Sequence, residues 1–389
     1  MKPRQITFMA GLCVALLGFI GCRPEAVPVD SITLRPTEKE LMVGTTYQIV
    51  ASVLPADAPH EVEWSSSNAT VATVSEAGVV TAVAVGECDI TATAGDKSAV
   101  CHITVVDGTP SDPDVPVTGP FDNNGASTAV FSVEEGRTVH FSRGNLQYQA
   151  STEMWRFAEH QYDYMGSANR NISSDNTGWI DLFGWGTSGW NSGANAYQPW
   201  ATSSTNSDYY PGGSLTNNLE GDYANGDWGV YNAISNGGGR PGMWRTLTNS
   251  ELNYLLYSRA ASSVGGHDNV RYAKAKVNNV LGLIIFPDVY SHPDGVAEPD
   301  NANTASATFN SYVLTASDWE QMETAGCIFL PAAGYRNGTS TDYVGSYGGY
   351  WTSTYYNEDG ACNLFFMADA MELSFNIRSF GLSVRLVKD

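Results

Sequence analysis

Gly86-Glu87-Cys88-Asp89-Ile90-Thr91-Ala92-Thr93-Ala94-Gly95-Asp96-Lys97-Ser98-Ala99-Val100-Cys101-His102-Ile103-Thr104-Val105-Val106 alternates apolar or small residues with polar ones on both sides of Gly95-Asp96. Cys88, Ile90 and Ala92 share one parity, and Cys101, Ile103 and Val105 share another. If Asp89–Thr93 and His102–Val106 pair as a hairpin around Gly95-Asp96, both cysteines face one core. A Cys88–Cys101 disulfide and two buried thiols fit that placement equally. Upstream, the runs Ser31–Leu34, Thr46–Leu54, Val62–Ser65, Thr70–Val74 and Val79–Val83 repeat the pattern, with Gly and Pro between them. Short, regularly spaced strands predict an all-β sandwich over residues 29–106.

Within it lie Val43-Gly44-Thr45-Thr46, Pro55, Glu63-Trp64-Ser65-Ser66-Ser67-Asn68, Val71-Ala72-Thr73-Val74, Gly78-Val79-Val80-Thr81-Ala82, Gly86 and Ile90-Thr91-Ala92. This set resembles the bacterial immunoglobulin-like domain, group 2. The resemblance implies a non-catalytic surface spacer or adhesion module, with Trp64 as its buried aromatic.

At the N-terminus, Lys2 and Arg4 precede an apolar stretch from Ile6 to Ile20, too short to span a bilayer comfortably. Gly21-Cys22 at its end resembles the lipobox of bacterial lipoproteins. That implies a signal peptide over 1–21, a lipid anchor at Cys22 and a tether over 22–28. The expected location is the cell envelope, at the outer membrane and surface-exposed, with the side faced left open. Cys88, Cys101, Cys327 and Cys362 then remain, two in each later region, and an exported setting permits disulfides.

The chain has 389 residues, with 20 Lys+Arg against 41 Asp+Glu, a net charge of −21. Loss of Lys2 and Arg4 leaves 18 against 41, or −23. Phosphate contact needs Lys and Arg, so no nucleic-acid partner is expected. Charged residues make up only 16%, and Gly (39), Tyr (20) and Trp (10) are abundant, a composition suited to recognition surfaces. Residues 107–127, dense in Pro and Asp, predict an extended linker. Nine of the ten Trp lie in residues 128–389. There, Gly166 to Gly242 lacks periodicity yet carries aromatics throughout, which predicts irregular packing rather than disorder.

Thr248-Asn249-Ser250-Glu251 and Ser317-Asp318-Trp319-Glu320 read as capping boxes opening helices, the second ended by Gly326. Asn278-Asn279 reads as a two-residue turn joining Arg271–Val277 to Val280–Phe286. Further strands are expected at Val130–Val133, Thr138–Phe141, Leu146–Gln149, Trp155–Phe157, Cys327–Leu330, Tyr350–Tyr355, Cys362–Ala368, Glu372–Phe375 and Ser383–Val387. The expected class is multidomain: an all-β Ig-like sandwich followed by an α+β domain.

Met243-Trp244-Arg245-Thr246-Leu247-Thr248-Asn249-Ser250-Glu251-Leu252 looks like the helix entry of formylglycine-generating-enzyme-type folds. Leu330-Pro331-Ala332-Ala333-Gly334-Tyr335-Arg336, Gly349-Tyr350-Trp351-Thr352-Ser353-Thr354 and Gly381-Leu382-Ser383-Val384-Arg385-Leu386-Val387 fit that fold's core strands. Together they resemble the C-type lectin-like fold of gut-bacterial surface proteins, over roughly 128–389. The resemblance implies an exposed ligand face of Tyr355, Tyr356, Asn357, Glu358, Asp359, Asn363, Asn376 and Arg378, taking a glycan or a protein. Leu364, Phe366, Leu373 and Trp351 read as core.

Three further readings carry less weight. A formylglycine-generating-type enzyme would need Cys327 and Cys362 as a redox pair, and neither lies in a family-like cysteine motif. Some lectin-like surface proteins are hypermutated at the C-terminus; Met367, Met371 and Glu372 count against that here. Asp288, Asp294, Glu298 and Asp300 could hold calcium, as in some lectin-like domains, but their loop lacks the EF-hand pattern. No cofactor, metal or catalytic residue is expected. The predicted function is non-catalytic surface binding or adhesion, with a structural subunit of a surface or fimbria-associated assembly as the alternative.

Overall fold

The computed structural model describes residues 28–43, 46–55, 61–106 and 119–389. The leader, Cys22 and residues 107–118 of the expected linker lie outside these. Residues 119–127 are described, and they belong to the head rather than to a linker. Ala126 is buried, and the Ser127 amide donates to the Phe141 carbonyl at 2.8 Å.

The first domain contains Ser31–Arg35 (β1), Glu38–Met42 (β2), Thr46–Gln48 (β3), Val50–Leu54 (β4), Glu63–Ser66 (β5), Ala72–Val74 (β6), Val79–Ala82 (β7), Gly86–Ala94 (β8) and Lys97–Val106 (β9). One sheet has the order β2-β9-β8-β5 and a second β3-β7-β6, while β1 pairs with β4. The hairpin turns at Gly95-Asp96, with Ala94 opposite Lys97. Strand β2, parallel to β9, has no counterpart among the expected strands. Ile32, Leu34, Ile49, Val80, Ile90 and Ile103 fill the core. Trp64 is half-buried rather than enclosed; Gly78, with φ +78°, lies under it, and a Cβ there would come within 2.6 Å of the indole.

All four later cysteines are buried free thiols. Cys88 stands opposite Ile103 and Cys101 opposite Ile90, a diagonal placement. Diagonal neighbours lie roughly 7–8 Å apart, whereas a disulfide brings Cβ atoms to about 3.8 Å. Shared parity therefore puts both side chains in the core without joining them. Cys327 precedes one sheet and Cys362 lies within another, so the second pair is not joined either.

The head is mostly β. Its strands are Phe131–Glu134 (β10), Arg137–Phe141 (β11), Leu146–Gln149 (β12), Met154–Phe157 (β13), Trp179–Ile180 (β14), Tyr272–Val277 (β15), Val280–Ile285 (β16), Val313–Leu314 (β17), Ile328–Pro331 (β18), Tyr335–Asn337 (β19), Ser340–Asp342 (β20), Gly348–Tyr355 (β21), Gly360–Met367 (β22), Ala370–Ile377 (β23) and Val387–Lys388 (β24). The α-helices are short: Trp228–Tyr231 (α1), Asn249–Asn253 (α2) and Ala316–Thr324 (α3). Among the described residues no helix is long and apolar enough to cross a membrane.

Local signals explain several of these elements. Asn278 and Asn279 both take positive φ between β15 and β16, as a tight hairpin with right-handed strand twist requires. Thr248 and Glu251 form the expected capping box, and α2 continues as a π-helical turn over Tyr254–Ser258. For α3 the box is Thr315 with Asp318, two residues earlier than Ser317 and Glu320. Both pairs have the right spacing, but Thr315 directly follows β17 in the extended conformation an N-cap needs.

The expected closing strand Ser383–Val387 is instead a fully buried thread. Gly381 bridges Arg336, Leu382 bridges Phe183, Ser383 bridges Tyr350, and Val387 pairs with Phe141 and Arg245. Gly381, Leu382 and Ser383 each meet a different partner, and a ladder forms only at Val387–Lys388, where β24 pairs with β11. The Gly166–Gly242 stretch packs by aromatic side chains: Phe183, Trp185 and Trp228 join Trp155, Trp244 and Trp351 in one core cluster. Burial of each such ring stabilises the fold by roughly 2–3 kcal/mol.

Candidate functional site

Strands β21, β22 and β23 form one antiparallel sheet, in that order. Phe366, Leu364, Cys362 and Gly360 of β22 stand opposite Met371, Leu373, Phe375 and Ile377 of β23. Side chains alternate across a strand, so these four β23 positions share a face. Met371 is buried, Leu373 half-buried, and Phe375 and Ile377 exposed. The apolar face thus runs past the edge of the core into solvent.

At that edge Tyr356 lies on Phe375, ring centroids 4.3 Å apart and planes 8° from parallel. Tyr356 is 52% exposed and Phe375 45%. Gly360 permits the arrangement: a Cβ there would lie 2.8 Å from the Phe375 ring. The pair makes a flat, exposed aromatic platform with Ile377 beside it.

The turn that carries Tyr356 is tied at several points. Asn357 Oδ1 accepts the amides of Asp359 at 3.0 Å and Gly360 at 2.9 Å. The Tyr355 amide donates to Asn218 Oδ1 at 2.9 Å, and Asn206 Nδ2 donates to Asp359 at 3.3 Å. Tyr210 donates its hydroxyl proton to the Glu358 carbonyl. Loops 206–220 therefore buttress the turn from behind, while the side chains of Glu358 and Asp359 stay exposed.

Three of the residues expected on the ligand face, Arg378, Asn363 and Asn376, are not there. Arg378 is fully buried, its guanidinium between the rings of Trp185 and Tyr210 at 4.8 and 4.6 Å. It donates to the carbonyls of Leu215 (2.6 Å), Asn357 (3.0 Å) and Gly360 (3.2 Å). Burial pulls its pKa down to about 10, opposed by Tyr210 and Tyr355. Arg378 is a clamp on the turn and presents nothing to a ligand. Asn363 is also fully buried, its amide donating to the Leu364 carbonyl at 3.1 Å. Asn376 is half-buried and donates to the Tyr347 hydroxyl at 2.9 Å, on the opposite face of the sheet from Phe375. Tyr355, Tyr356, Asn357, Glu358 and Asp359 are brought together at the edge.

Residue type alone concealed Phe375 and Ile377, which carry core parity and core chemistry. Conversely, Trp351, Leu364 and Phe366 are buried, as their types suggest.

The other groups weighed for chemistry are buried, paired or not gathered into a site. Burial pushes the thiols of Cys327 and Cys362 up, away from the reactive thiolate. Asp288 pairs with the buried Arg259 at 2.6 Å and accepts from the Ser132 amide and hydroxyl. Asp294, Glu298 and Asp300 are exposed. Among the described residues no three His, Cys, Asp or Glu side chains gather closely enough to hold a metal ion.

Family models match two segments of the chain. A family model described as "Domain of unknown function (DUF8237)" matches residues 312–387, which include β21–β23. Ice-binding protein 1 of Shewanella frigidimarina is 31% identical over 151 residues, 37% of this chain but 16% of that protein. Lacto-N-biosidase of Bifidobacterium bifidum is 48% identical over 82 residues, 21% of this chain and 7% of that one. The chain thus spans a small part of the length of either relative. Among solved structures, domains 4 and 5 of the S-layer protein SbsC align at 22% identity and a TM-score of 0.19, over 20% of this chain and 53% of that one. The model for "Bacterial Ig-like domain (group 2)" matches residues 28–105, the nine-stranded unit described above. That segment is a bacterial Ig-like domain of group 2.

Proposed function

We propose that the protein is a non-catalytic binding protein of the bacterial cell surface. In this reading Cys22 is lipidated at the outer membrane, the Ig-like domain is a stalk, and a C-type lectin-like head presents the ligand face. The observation that carries it is the Tyr356–Phe375 platform. Two apolar rings held flat in water at the edge of a braced sheet are costly unless a ligand covers them. Tyr356 supplies contact area at low entropy cost, while Asn357, Glu358 and Asp359 add directional polar groups. The ligand class is a glycan or a protein. Buried thiols with raised pKa values favour this reading over a formylglycine-generating-type enzyme.

The structural-subunit alternative has one supporting observation: among the described residues β23 pairs only with β22, leaving an eight-residue edge. Screening the full chain on glycan and envelope-protein arrays separates the two. Binding that disappears in the Tyr356→Ala/Phe375→Ala double variant supports the platform. An empty array, with the chain co-purifying with an envelope polymer, selects the structural role.

A further inference from the structure

Six described residues other than glycine have positive φ: Glu153, Asn269, Asn278, Asn279, Asn303 and Tyr343. Four are Asn, the side chain that tolerates this conformation best. Glu153 has a visible reason, since its carboxylate accepts from the Tyr47 hydroxyl. Tyr343, with φ +52°, has no polar partner for its side chain among the described residues, and its ring rests on Tyr335. It is 59% exposed, and its hydroxyl has no hydrogen-bond partner among the described residues. Asn or Gly would hold the same turn with less strain, and strain kept at an exposed aromatic points to use of the ring.

The surroundings define that use. Phe380, Tyr335 and Tyr343 form a stack: Phe380 and Tyr335 are 5.1 Å apart and 1° from parallel, Tyr335 and Tyr343 5.9 Å apart and 28°. Tyr347 braces Tyr335 edge-on at 5.4 Å. Among the described residues no further ring stacks on Tyr343, which is exposed. The turn beneath it is fixed: the Ser346 amide and hydroxyl each donate to the Tyr343 carbonyl at 3.0 Å, and the Tyr347 amide does so at 3.1 Å. Thr339, Ser340 and Asp342 are exposed on the adjoining β19–β20 hairpin.

We propose that Tyr343 is the stacking platform of a second contact, for a neutral pyranose ring of a glycan, with the Asp342 carboxylate accepting from its hydroxyls. The exposed apolar area here is Tyr343 with its neighbour Val344. That is far below the roughly 800 Å² a protein partner covers. A net charge of −21 and the adjacent carboxylate repel phosphate- or sulfate-bearing polymers. A sugar ring offers an apolar C–H face to the tyrosine and hydroxyls to the carboxylate. This contact goes beyond the function proposed above and uses none of the Tyr356–Phe375 residues.

Affinity electrophoresis of the full chain through gels carrying starch, xylan, mannan or mixed-linkage β-glucan tests it, with Tyr343→Asn and Tyr356→Ala run alongside. Tyr343→Asn keeps a residue suited to positive φ and removes only the ring. The expected result is retardation of the wild type by at least one of these polymers, weakened about tenfold in Tyr343→Asn, the loss of one aromatic contact. Its melting temperature stays level or rises. Tyr356→Ala reports separately on the other platform, whatever its outcome. The proposal is overturned if no polymer retards the wild type, if Tyr343→Asn binds like the wild type, or if Tyr343→Asn lowers the melting temperature, which would make the ring a structural one.

Discussion

Replacing Asp181 by Asn isolates a single buried ionisation in the head. Asp181 is fully buried and forms no ion pair among the described residues. Its carboxylate accepts from Asn169 Nδ2 at 2.7 Å and from the Met165 amide at 2.9 Å. Burial raises its pKa from 3.8 to about 6, against the opposing effect of those hydrogen bonds. A shift of about two units corresponds to ~3 kcal/mol. The sign follows from proton binding. The folded state holds this proton more tightly than the unfolded chain, so the group's stabilising contribution is complete below the unfolded pKa. It is lost as the pH rises through the folded value. Asn is neutral at every pH, and its amide nitrogen, set against a donor, costs about 1 kcal/mol. Asp181→Asn should therefore be slightly destabilising at pH 4 and about 2 kcal/mol more stable than the wild type at pH 7. Guanidinium unfolding followed by Trp fluorescence reads this out, since nine of the ten Trp lie in the head. Comparing the two proteins at each pH cancels the other titrating groups. A stability difference that does not change between pH 4 and 7 would refute the claim that Asp181 is strained by its own charge.

Other predictions follow from the same geometry. Arg378→Met leaves the carbonyls of Leu215 and Asn357 without their guanidinium donor and should cost about 2–4 kcal/mol, with amide exchange speeding up first at residues 355–360. Arg378→Lys should not rescue it, because one ammonium cannot reproduce the planar fork between two rings. The four buried thiols should be unreactive to a thiol reagent in the native state and all reactive once unfolded without reductant. A fraction that reacts only after reduction would contradict the free-thiol description. Trp185→Ala should remove about 3–5 kcal/mol, since the ring is fully buried and its indole N–H donates to the Thr352 carbonyl at 2.8 Å.

Much of the fold was legible where a local rule decides it. Paired asparagines require a tight hairpin, and Thr248 with Glu251 requires a helix start. Parity put Cys88 and Cys101 in one core but could not tell a direct pair from a diagonal one, because register sets that distance. Polar type misplaced Arg378 and Asn363: an arginine can be buried whole when backbone carbonyls and aromatic faces receive it. The opposite error hid Phe375 and Ile377, since a strand's apolar parity does not reveal where the core beneath it ends. Strand β2 was missed because Glu38-Lys39-Glu40 interrupts the apolar signal; its parallel pairing with β9 is a long-range choice.

The proposed function stands or falls on the Tyr356–Phe375 edge being a ligand face. The most direct test is the equilibrium affinity of the wild-type chain and of Tyr356→Ala for the strongest ligand found on the arrays, measured by surface plasmon resonance alongside the melting temperature of each. Loss of a central aromatic contact of about 2 kcal/mol predicts roughly thirtyfold weaker binding with melting unchanged. Equal affinities for the two proteins would contradict the claim.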